Sequence, residues 1–131
     1  FLFFNGLMIG AVAGHLTQIG SGQTFWSFVI GHGAFELTAI TLAGAAGLKL
    51  GWALLAPGRW PRSEALRLAA RQSVQLVAGA ILLLLLAAFV EAYWSSMTSI
   101  GSNIKFAVGG GLWLLLASYF ALAGRGRHAP D

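Results

Sequence analysis

The sequence predicts an all-α fold, a polytopic membrane helical bundle of about four spanning helices with a short half-helix before the second full span. Three observations carry this. Of the 131 residues, 57% are hydrophobic and only 9% charged, far from the roughly 25% charged residues of soluble domains. Apolar runs long enough to cross a hydrocarbon core of about 30 Å alternate with short connections rich in glycine, proline or polar residues. The basic residues cluster at the ends of those runs, so the net charge of +4 reads as a topology signal and argues against a nucleic-acid partner. Without cysteine there is no disulfide framework.

The first span is residues 1–19, with Gly6, Gly10 and Gly14 four apart on one face where another helix can approach closely. Asn5 and His15 are its polar exceptions, and His15 reads as an interfacial residue at a helix end. Residues 18–24 form a turn; their Gly-x-Gly lacks the strand and lysine of a phosphate loop. Residues 25–55 are apolar for longer than one perpendicular span needs. The glycines of Gly31-His32-Gly33 each lower helix stability by about 1 kcal/mol relative to alanine. The expectation is a half-helix over 25–30 and a full span over 33–55. Ala39, Ala43, Gly47 and Gly51 repeat the small-residue spacing, so this face is expected to pack on the glycine face of the first helix.

Residues 57–62, with Pro57 and Pro61, form a turn, and Ser63 is the expected N-cap of the third helix, with Glu64 in its first turn. That helix starts basic, with Arg67 and Arg71, is fully apolar over 77–90, and ends near Glu91, Tyr93 and Trp94. A turn over 95–103 leads to the last span, 104–123, which begins with Lys105 and carries Gly109, Gly110 and Gly111. Arg59, Arg62, Arg67 and Arg71, together with Arg125 and Arg127, fall on one side of four crossings, so the basic loop 57–71 and the C-terminal tail are expected in the cytoplasm. The whole chain reads as one transmembrane domain, residues 1–131. Because it opens on Phe1 inside an apolar run, it is read as the C-terminal part of a longer protein.

This topology gathers His32, Glu36, Glu91, Lys105 and His15 at one outer depth. His32 and Glu36, four residues apart, share a helix face. An ionisable side chain in hydrocarbon costs about 2.5–3.5 kcal/mol on insertion scales, so such residues face a protein interior or a wet cavity. Two readings are open: a charge-balanced cluster tying helix ends together, or an ion or proton site in a transporter or channel subunit. Catalysis is not expected, because His32 and Glu36 supply only part of a metal-hydrolase motif; neither a metal nor another cofactor is called for.

The run from His32 to Ile40, followed by Ala43-Gly44-Ala45-Ala46-Gly47-Leu48, resembles the signature region of the stage II sporulation protein M family of bacterial and archaeal membrane proteins. Asn5-Gly6 with Gly10, and Ala87-Ala88-Phe89-Val90-Glu91-Ala92, extend the resemblance. It implies a multi-pass protein of the cytoplasmic membrane which, in spore-formers, partners two peptidoglycan-degrading proteins during engulfment without itself cutting peptidoglycan. The expected role is therefore a non-enzymatic membrane subunit that organises or anchors a cell-envelope complex. Its partners would be the lipid bilayer, other membrane or envelope proteins such as peptidoglycan hydrolases, or further copies of itself in a homo-oligomer.

Overall fold

A computed structural model describes residues 2–123. The tail with Arg125 and Arg127 lies outside the described residues, as does Phe1. Four helices succeed one another: α1 (Leu2–Gln18), α2 (Gly22–Leu55), α3 (Arg62–Val90) and α4 (Ser102–Leu122), and α3 runs directly into a π-helical turn, Glu91–Ser95. α2, α3 with its π-helical extension, and α4 are each long and apolar enough to cross a membrane, and α1 adds a fourth apolar helix of 17 residues. The tight connections close on Gly20 and Gly58, which take φ of 83° and 63°, a left-handed backbone that a side chain disfavours.

α2 is the centre of the bundle, the common partner of α1, α3 and α4. Its interior is built from small residues. Ala39 and Ala46 on α2, and Ser73, Ala80 and Ala87 on α3, are buried at seven-residue intervals, the spacing that keeps one face turned to an antiparallel neighbour. Leu42 faces Gly79, and Gly31 faces Val90, which fixes the register. Among the described residues no large side chain is fully buried, while Leu48, Leu85, Phe89 and Leu114 face outward. Lipid tails are as apolar as leucine, so nothing drives large side chains inward, and close backbone approach supplies the packing.

Three expectations are corrected. α2 is continuous from Gly22 to Leu55, with no break at Gly31-His32-Gly33 and no half-helix over 25–30. A break would strip backbone groups of hydrogen bonds in an apolar setting, costing several kcal/mol per group, against about 1 kcal/mol for each glycine kept in the helix. The 34 residues extend about 51 Å at 1.5 Å per residue, so the unbroken helix is longer than a hydrocarbon core of about 30 Å needs. Ser63 is not the N-cap: Pro61, in extended conformation, precedes the helix and its carbonyl accepts from the Glu64 and Ala65 amides. Finally, the glycine faces of α1 and α2 do not close on each other. At Gly6, Gly10, Gly14, Gly47 and Gly51 an added Cβ would meet nothing within 4 Å, because α1 lies against other positions of α2.

Ser73, only 2% exposed, has a hydroxyl with no hydrogen-bond partner among the described residues. Removing an unpaired buried hydroxyl removes a desolvation cost. Ser73→Ala is therefore expected to leave stability unchanged or raise it by up to about 1 kcal/mol, read as a shift of the unfolding midpoint in micelles.

Candidate polar layer and open helix faces

At the end of the bundle that holds the α1–α2 and α3–α4 connections, three elements meet around Ser95. The α3 helix widens there into the π-helical turn, in which the Ser96 amide reaches back five residues to the Glu91 carbonyl at 3.3 Å. Such turns are rare and concentrate at functional sites, because the extra residue rotates the side chains beyond it. Here it buries Ser95 against α2. The Ser95 carbonyl accepts from the Lys105 ammonium of α4 at 2.7 Å, and its hydroxyl lies 3.2 Å from Nδ1 of His32 on α2. Nε2 of His32 lies 4.0 Å from a Glu36 carboxylate oxygen, an electrostatic contact longer than a hydrogen bond. With the ring proton on Nε2, Nδ1 accepts from the Ser95 hydroxyl; with it on Nδ1, the ring donates to that hydroxyl.

Burial grades along this line. Lys105 and His32 are 7% and 6% exposed, whereas half of the Glu36 side chain is open, on the wall of a cleft shared with Met8, Val12 and Phe25 of the α1–α2 hairpin. Phe28 meets the His32 ring edge to face, with centroids 5.1 Å apart. The layer thus ties α2, the π-helical turn and α4 together.

Of the five residues expected to gather, the structure brings together His32, Glu36 and Lys105, and the link is Ser95. Glu91 is exposed at the start of the π-helical turn, and His15 is exposed near the end of α1. Neither makes a side-chain hydrogen bond or ion pair among the described residues, and Lys105 balances neither Glu36 nor Glu91 by direct contact. Its ammonium is held by the backbone carbonyl instead. No group of three His, Asp or Glu able to hold a metal occurs among the described residues.

Gly109 sits beneath this layer. A Cβ there would lie 2.7 Å from both branches of Ile30 and 2.9 Å from its carbonyl carbon, so α4 crosses α2 with backbone nearly touching backbone. At Gly110 and Gly111 the same Cβ would meet nothing within 4 Å. A second feature lies further along α2, where Phe3 and Asn5 of α1 and Ala43, Gly47, Leu48 and Gly51 of α2 wall an apolar groove of about 770 Å³.

The family model for stage II sporulation protein M matches residues 1–96. The chain belongs to the stage II sporulation protein M family. As a family member it is a membrane-embedded helical protein, and the matched region takes in α1, α2, α3 and the π-helical turn, and with them His32, Glu36 and Ser95. Lys105 and Gly109 of α4 lie beyond it. No curated protein and no solved structure matched this stage II sporulation protein M family member.

Proposed function

We propose that the protein is a non-enzymatic membrane subunit that organises a cell-envelope complex by receiving transmembrane helices of other chains on its open glycine faces. The observation that carries this reading is the uncovered stripe of small residues along α2. Gly47 and Gly51 have open space where a Cβ would be, in the wall of the apolar groove. A glycine stripe gives lipid little to pack against, but it lets a second helix backbone approach closely. The stripe Gly6, Gly10, Gly14 on α1 offers a second such face. The polar layer supports the same reading, since its buried hydrogen bonds join elements of this chain and leave the groove to a partner. Family membership makes envelope proteins, peptidoglycan hydrolases among them, the first candidates, with the basic connection 57–71 in the cytoplasm by the charge of its arginines.

Gly47→Leu and Gly51→Leu fill the groove without touching the chain's own packing, so both variants are expected to fold and insert normally. In mild detergent the wild type is expected to migrate as an assembly larger than one chain, and each leucine variant as a single chain. A wild type that is always a single chain, in detergent and after crosslinking in cells, overturns the reading.

The second reading, a transporter or channel subunit, rests on one observation: the line Lys105, Ser95, His32, Glu36 runs from the interior to a cleft. Flux into proteoliposomes that is lost in Glu36→Gln supports it, and unchanged flux sinks it.

A further inference from the structure

At the end of the bundle opposite the polar layer, the last turns of α2 and the first turns of α3 leave a shallow pocket of about 250 Å³. Lys49 and Gln72 are its polar walls, while Trp52, Trp60, Leu68 and Ala56 are among the apolar ones. Lys49 lies inside a helix able to span the membrane, a few residues before Leu55. Its side chain is exposed and makes no hydrogen bond or ion pair among the described residues. An ammonium at such a position is expensive without a counter-charge, and its four-carbon stem lets it reach toward the headgroups.

Among the described residues no carboxylate pairs with Lys49. Arg59, Arg62, Arg67 and Arg71 are all exposed nearby in sequence, and Glu64 is the one acid over residues 57–71. Trp52 and Trp60 are 70% and 58% exposed, and indoles in this setting sit at headgroup level. Cation, amide, indoles and apolar walls together match an acidic headgroup attached to acyl chains.

We infer that this pocket binds an anionic phospholipid, its phosphate against the Lys49 ammonium and the Gln72 amide and its chains along Trp52 and the adjoining face of α2. A lipid fits better than a soluble phosphate, because most of the wall is apolar and gains only from contact with hydrocarbon. Basic pockets between transmembrane helices recognise acidic headgroups in this way.

The test is lipid retention by the intact chain. Protein is purified from nanodiscs of phosphatidylcholine containing a minor share of phosphatidylglycerol, and the lipids that remain bound are identified by native mass spectrometry. Wild type is expected to retain phosphatidylglycerol in excess of its share, Lys49→Arg to do the same, and Lys49→Gln to lose about fivefold of that preference, the effect of one cation near a membrane surface. Equal retention by wild type and Lys49→Gln, with matching helicity in pure phosphatidylcholine, overturns the site. Millimolar glycerol 1-phosphate that strips the bound lipid from wild type overturns the lipid assignment, and failure to strip it supports that assignment.

Discussion

Gly109→Ala is expected to destabilise the bundle by about 1–3 kcal/mol, the range for overfilling a packed contact. The added methyl group meets the Ile30 backbone at 2.9 Å as well as both branches of its side chain, and a backbone cannot rotate aside as a side chain can. Relief requires α4 to move off α2, which also draws Lys105 away from the Ser95 carbonyl. The adjoining positions provide the contrast: Gly110→Ala and Gly111→Ala add a methyl group to open space and raise helix propensity, so each is expected to be neutral or stabilising by up to about 1 kcal/mol. Reversible unfolding in mixed micelles separates the three. Three similar values would show that α4 does not cross α2 at Gly109.

The second large effect is expected in the polar layer. Lys105→Leu leaves the Ser95 carbonyl without its partner, and an orphaned buried acceptor costs about 1–3 kcal/mol. Lys105→Glu is expected to cost more, since a carboxylate cannot donate to that carbonyl and brings a negative charge beside it. His32→Ala and Ser95→Ala are expected to be non-additive, with a coupling of about 1 kcal/mol in a double-mutant cycle, because each removes the same hydrogen bond. Glu91→Gln and His15→Ala are expected to stay within about 0.5 kcal/mol of wild type, as exposed positions outside such contacts do. A loss at Glu91 as large as at Lys105 would place the layer on the wrong residues.

Much of the fold is legible in the sequence because its signals are local. Pro57, Gly58 and Pro61 end one helix and begin the next, and Gly20 closes the first hairpin. The closeness of His32 and Glu36 comes from a spacing of four on a helix. Ser95 is not legible, because only the π-helical turn, with its extra residue, brings it round to His32 and Lys105. Gly109 is not legible either: three consecutive glycines look alike until the crossing at Ile30 selects one of them. Position 31 misleads for the related reason that a close approach and a helix break use the same residue. Gly31 lies against Val90 and Ser95, where a Cβ would stand 3.5–3.6 Å away, so it serves the helix contact and leaves the helix whole.

These features divide the molecule into an internal layer that holds its own helices and an open face that, on the proposed reading, receives others. A photoreactive amino acid at Leu48, which is 73% exposed on the wall of the groove, tests that division most directly. In native membranes it is expected to form an adduct with a second polypeptide, to lose that adduct when Gly47→Leu is added, and to form none when the probe is moved to Leu85, an exposed position on α3. Adducts at Leu48 with lipid alone, or within its own chain alone, would contradict the account.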